Sequence, residues 1–166
     1  MTRTQLVVAS TVAMFAIGAT GCGQGAAPGS RPVPKAQEIT RASSETFGDY
    51  IVHFNAQSTT MLPAEVARAF GIRRSGNRAM LNVTVLRRGA GEGDTPVEAE
   101  VTVRAINLLG QLKDVSMREL REGEAIYYIG EMTVANEEIV TFNISVRPAG
   151  AGAPYEFKFQ QQFYTD

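Results

Sequence analysis

The chain of 166 residues has no tryptophan, a single cysteine and a single histidine. One thiol, Cys22, has no second cysteine to pair with, which excludes an internal disulfide framework. One imidazole and one thiol are too few soft ligands for zinc or copper, so no metal and no cofactor is expected. Neither sign of charge is in excess: 16 Lys and Arg stand against 17 Asp and Glu, a net of −1. A nucleic-acid binder would carry a clustered basic face, so nucleic acid is not an expected partner. Runs of like charge, which would mark a charged interaction tail, are missing as well. So are long hydrophobic runs. The apolar stretch at residues 6–17 would span roughly 18 Å as a helix, short of the roughly 30 Å of a bilayer core.

That stretch nonetheless has a clear setting. Arg3 precedes it, and the small residues Gly18, Ala19, Thr20 and Gly21 lead from it into Cys22. A charged start, a short apolar middle and small residues at the cut read as a cleaved export signal over residues 1–21. A cysteine directly after the cut reads as a lipid-attachment site, giving a membrane partner through an N-terminal acyl group. Ala19 stands where leucine is usual. Ala19 and Gly21 also suit ordinary signal peptidase, which leaves a soluble periplasmic protein as the alternative. Gly23 rather than Asp after the cysteine points to the outer membrane over the inner.

Without residues 1–21 the chain keeps 15 basic and 17 acidic groups, a net of −2. Residues 22–44 are rich in Gly, Ala, Pro, Ser and Gln and carry few bulky apolar groups. Such a segment buries too little surface to offset its ordering and reads as a tether of roughly 25 Å reach. One domain follows, over residues 45–166, long enough for a single core.

Most of that domain alternates with period two. Tyr50, Val52 and Phe54 share one face, as do Leu81, Val83 and Val85. Val97, Ala99, Val101, Val103 and Ala105 form a third set, and Val140, Phe142, Ile144 and Val146 a fourth. Tyr155, Phe157, Phe159 and Phe163 form the last. Gly- and Pro-rich turns at 89–96, 122–124 and 148–154 separate them. With shorter candidates at 115–120 and 125–134, the count is about seven strands. The predicted fold is all-β: an immunoglobulin-like antiparallel β-sandwich with one short helix. The helix is predicted from Leu62, Val66 and Phe70 at four-residue spacing, with Thr60 as cap, Pro63 in the first turn and Gly71 as the stop. It is expected to plug one end of the sandwich.

Chemistry is harder to find. His53 lies in a predicted strand with Asp49 four positions earlier, but no nucleophile-elbow sequence supplies a serine, and no catalytic residue is assigned. Glu119, Glu122, Glu124 and Glu131 lack the spaced Asp/Asn loop of a calcium site and read as a solvated acidic face. Gly89, Gly91 and Gly93 follow a strand, yet no helix and no Gly-Lys-Ser/Thr comes after them, so they read as a hairpin loop. Two features allow an interaction patch. The segment around Tyr127, Tyr128 and Ile129 is apolar on both faces, which fits either a central strand covered on its second face or an exposed patch. Arg73, Arg74 and Arg78 cluster after the helix, either as an ordinary charged loop or as a contact for anionic head groups or glycan.

Several stretches resemble a known family. Phe47-Gly48-Asp49-Tyr50-Ile51-Val52-His53, Pro63-Ala64-Glu65-Val66-Ala67, Arg78-Ala79-Met80-Leu81-Asn82 and Asn107-Leu108-Leu109-Gly110-Gln111 carry the first half of the likeness. Arg118-Glu119-Leu120-Arg121-Glu122-Gly123, Ala125-Ile126-Tyr127-Tyr128, Val146-Arg147-Pro148 and Phe159-Gln160-Gln161-Gln162-Phe163-Tyr164 carry the second. The chain resembles a Gram-negative exported-protein family known as domain of unknown function four-four-two-six, over nearly all of residues 45–166. The resemblance implies a single exported all-β domain and no activity. The resulting expectation is an envelope lipoprotein that binds or supports a protein or glycan of the envelope without catalysis. The alternative is a periplasmic carrier with a small-ligand pocket between the sheets, lined by the Tyr127–Ile129 strand and the phenylalanines of the last strand.

Overall fold

A computed structural model describes residues 43–165 with the exception of Glu92. The predicted export signal, Cys22 and the tether up to residue 42 lie outside the described residues. The described strands are β1 (Ser44–Phe47), β2 (Tyr50–Ser58), β3 (Arg78–Arg87), β4 (Thr95–Pro96), β5 (Ala99–Asn107), β6 (Leu112–Lys113), β7 (Ser116–Glu122), β8 (Ala125–Thr133), β9 (Glu138–Pro148) and β10 (Tyr155–Phe163).

Alternation is the reason these segments are strands. Tyr50, Val52, Phe54 and Ala56 are buried along β2, while His53 and Asn55 between them are exposed. Ala79, Leu81, Val83 and Val85 of β3 repeat the pattern, as do Val140, Phe142, Ile144 and Val146 of β9. These side chains meet between two antiparallel sheets. One has the order β1-β2-β3-β8-β7 with β4 added on β3, and the other the order β10-β9-β5-β6. The fold is a β-sandwich, as the sequence predicts.

The seven longest strands reproduce the immunoglobulin order. In chain sequence they are β2, β3, β5, β7, β8, β9 and β10. One sheet takes the first, second, fifth and fourth, and the other the seventh, sixth and third. The predicted seven therefore match the long strands. β1, β4 and β6 are additions of two to four residues, too short for a periodic pattern.

The space between the sheets is filled. Val52, Val83, Val85, Phe142 and Val146 are fully buried, and Phe142 stacks on Phe159 with ring centres 4.9 Å apart. Each such side chain contributes about 1.5–3 kcal/mol by leaving water. Polar ties cross the core as well. The Ala99 N–H of β5 donates to the Tyr128 hydroxyl of β8 at 2.7 Å. Within the larger sheet the Tyr50 hydroxyl accepts from Arg87 Nη2 at 2.9 Å, and Arg87 Nη2 also donates across to the Ala149 carbonyl after β9 at 3.3 Å.

The helix differs from its prediction in two respects. It spans Ala64–Ala69 (α1), with Pro63 at the capping position, and a 3-10 turn over Thr59–Met61 precedes it. The cap is not Thr60. Ser58 Oγ accepts from the Thr60 N–H, because the chain makes its first helical turn directly after β2. Gly71 does supply the stop, at φ +63°. The helix also does not plug an end of the sandwich. Ala67 and Ile72 pack on Met80 and Ile129, with Leu62, Phe70, Leu120 and Tyr127 around them. Met80, Leu120, Tyr127 and Ile129 project from the outer face of the larger sheet, and that apolar strip requires cover.

Candidate functional site

That cover decides the fate of the predicted patch. Tyr128 points into the core and is 5% exposed, while Ile129 lies under the helix at 3%. Tyr127 is half-buried, its ring centre 6.3 Å from that of Phe70. The central-strand reading of 125–129 describes the structure, with β8 lying between β3 and β7. Three consecutive strand residues point to alternate faces, so Tyr127, Tyr128 and Ile129 form no common exposed surface.

The three arginines are also separated. Arg78 is half-buried and pairs with Glu131 at 3.2 Å; Arg118 reaches the same carboxylate at 3.7 Å. Arg74 Nη2 donates to the Thr60 carbonyl at 2.8 Å, and Arg73 is exposed; neither forms an ion pair with a described residue. Arg73 and Arg74 stay available to solvent, whereas Arg78 is held by the sheet.

His53 is exposed on the outer face of β2, opposite Ser44 on β1 and Thr84 on β3. Asp49 sits in the turn between β1 and β2 rather than in the strand, so alternation does not bring it beside His53. Of the predicted acidic face, Glu131 binds the two arginines, and Glu119 pairs with Arg121 at 2.6 Å. Among the described residues, no three His, Cys, Asp or Glu side chains come together to hold a metal ion.

Two concave regions stand out among the described residues. A depression of about 520 Å³ lies on the outer face of the smaller sheet, among Thr102, Arg104, Asn143, Ser145, Glu156 and Lys158. Its rim is charged, and Asn143 Nδ2 donates to the Arg104 carbonyl at 3.3 Å. The larger region is a cleft of about 1150 Å³ where the edges of the two sheets approach one another, between β2 and β10. Phe54, Ala56, Phe159 and Phe163 give it an apolar floor, and Gln57 and Gln161 stand on its rim. Toward the other end of the same edges it is closed by aromatic packing. Phe47 stacks on Tyr155 at 4.8 Å, and Phe54 meets Phe157 at 4.8 Å.

The cleft runs beside an unused strand edge. β10 pairs with β9 on one side, and no described strand pairs with it on the other. Nine residues of strand therefore offer half of their backbone N–H and C=O groups to whatever lies alongside.

The sequence profile of the domain of unknown function DUF4426 matches residues 44–166. The chain belongs to this family. A crystal structure of a DUF4426 family protein from Pseudomonas aeruginosa PAO1 is 31% identical, with a TM-score of 0.64 over 74% of this chain and 94% of that one. Among curated proteins none matches the chain. The family boundary at residue 44 coincides with the first residue of β1, one position before the predicted domain start.

The carrier alternative places the phenylalanines of the last strand around a pocket between the sheets; Phe159 and Phe163 do line this cleft, but at the edges of the sheets and without the Tyr127–Ile129 strand. The cleft's floor residues Phe54, Phe159 and Phe163 read as ordinary core positions by alternation. What separates them from the rest of the core is only that β10 is a sheet edge and that β1 pairs with β2 only as far as His53, a fact of topology. A sequence signal did exist: the run Gln160-Gln161-Gln162 breaks the apolar alternation of β10, leaving amides where a closed core would place an apolar group.

Proposed function

We propose that this DUF4426 domain is a non-catalytic binding module of an envelope lipoprotein, and that it holds an extended segment of another envelope protein along β10. The open edge of β10 beside the apolar-floored cleft carries this reading. Strand addition supplies main-chain hydrogen bonds from the edge, and the Phe54–Phe159–Phe163 floor takes alternate side chains of the added strand. Glutamine amides on the rim remain able to pair with the backbone or side chains of the guest. The carrier alternative calls for an enclosed space between the sheets. The filled centre and the open flank of the cleft favour a chain segment over an engulfed small molecule.

A photo-crosslinking residue placed at Gln161 in the full chain, expressed in its native envelope, tests the reading. An adduct of discrete mass is expected at Gln161 and not at Arg104, which is on the outer face of the same sheet. Equal or absent crosslinking at the two positions would remove the support.

A further inference from the structure

The exposed large apolar side chains of the domain are Met61, Leu108, Leu109, Leu112 and Tyr164, at 74, 68, 82, 63 and 64% exposure. They are not scattered. β2 finishes and β3 begins at one end of the sandwich, where Ser58 pairs with Ala79. β5 finishes against the start of β9 at that end, Asn107 opposite Val140, and β10 finishes there too, Phe163 opposite Glu138. Met61 follows β2, Leu108 and Leu109 form the tip after β5, Leu112 begins β6, and Tyr164 follows β10. Contacts tie these loops together: the Thr165 N–H donates to Asn136 Oδ1, and the Val134 N–H to the Asn77 carbonyl.

The leucine tip is also held rigid. The buried Asn107 Oδ1 accepts from the N–H groups of Leu109 and Gln111 at 3.1 and 2.9 Å. Its Nδ2 donates to Glu138 Oε1 at 2.9 Å, and Glu138 is clamped in turn by Lys113 at 2.6 Å. A leucine pair fixed in water by four polar contacts is a presented surface, not a frayed turn.

The path of the chain names the occupant. β1 runs antiparallel to β2, so the chain enters the domain from the direction of this same end. Ser43 lies opposite Phe54, four residues short of Ser58, or about 13 Å of strand. On the tether expectation drawn from composition, the twenty residues 23–42 would allow a reach of roughly 25 Å back to Cys22.

We propose that this end of the sandwich rests on the phospholipid bilayer, with Leu108 and Leu109 entering the interfacial region and Met61, Leu112 and Tyr164 around them. The inference rests on the lipoprotein reading, in which Cys22 is acylated in the same membrane. Tyr164 suits the head-group level, where amphipathic rings concentrate. Arg73 and Arg74, exposed in the segment that follows Met61, face anionic head groups. Glu137 is exposed at the same end, so apolar contact carries the attraction and the arginines only bias it. The consequence is orientation: the β10 edge then stands upright from the membrane, open to a partner along its length.

The test uses the full chain purified from membranes into phosphatidylethanolamine–phosphatidylglycerol vesicles, with a nitroxide on Leu109→Cys and, separately, on Glu124→Cys at the opposite end. Both sites are exposed, so the fold is not at risk, and an acylated Cys22 leaves the introduced thiol the only reactive one. Intact mass reports acylation separately. The expected result is a severalfold loss of collisions with a water-soluble relaxant at Leu109, a gain in collisions with oxygen there, and neither change at Glu124. An acylated protein with both labels in water overturns the inference and leaves the lipoprotein reading intact. Shielding at Leu109 that needs added envelope protein also overturns it, assigning the tip to a protein partner. Absence of acyl mass overturns the reading beneath it.

Discussion

The Tyr128 hydroxyl accepts the Ala99 N–H from the opposite sheet, and burial pushes its ionisation above the ordinary phenol range. Tyr128→Phe keeps the ring and removes the acceptor, stranding an N–H that water reaches poorly. The expected cost is about 1 kcal/mol in urea unfolding. An unchanged midpoint would mean that the tie between sheets contributes nothing. Glu138 makes a second residue-level case. Burial raises its pKa, but hydrogen bonds from Lys113, the Ala135 N–H and Asn107 outweigh burial and hold it below the usual carboxylate range. A folded pKa below the unfolded one adds stability that is complete above about pH 4.3, the unfolded value, and lost as pH falls through the folded pKa. Glu138→Gln should therefore be less stable than the parent at neutral pH, with the gap closing in acid. A gap constant from pH 7 to about pH 3 would contradict the assignment. At this scale the sequence was a partial guide. It identified Tyr127, Tyr128 and Ile129 as unusual, yet which face each side chain takes follows from what covers the sheet. The Asn107–Glu138–Lys113 network joins residues about thirty apart and has no local signature.

At the scale of elements, periodicity made the long strands legible because each buries one face against a single core. β1 was not legible: Ser44, Glu45, Thr46 and Phe47 include one bulky apolar group, and the strand exists because β2 offers it an edge. The helix was legible in place and stop, but not in destination. Its cover of the larger sheet depends on Met80, Leu120, Tyr127 and Ile129 facing outward, a property of three strands distant in sequence. Ile72 is the buried anchor just past the helix. Ile72→Ala should cost about 2–5 kcal/mol in denaturant unfolding, since a cavity opens between the helix segment and the sheet. A loss under about 1 kcal/mol would mean that the segment lies loosely and that the outer strip is open to other cover.

At the scale of the whole molecule, the immunoglobulin strand order brings β10 beside the part of β2 that β1 does not cover, and the cleft follows from that arrangement. No single residue of the cleft is unusual. The site consists of an unpaired edge, an apolar floor and amides at the rim, and only the assembled sheets bring these together. This is why strand pattern and family were within reach of the sequence while the open geometry of the cleft was not.

The central claim is that the β10 edge is occupied by a partner in the envelope. Hydrogen exchange of the full chain, compared between native membranes and the purified state, reads that edge directly. Alternate amides within Tyr155–Phe163, fast in the purified protein, should become slow in membranes, while the fully paired amides of β9 should not change. Identical exchange along β10 in both states would contradict that claim.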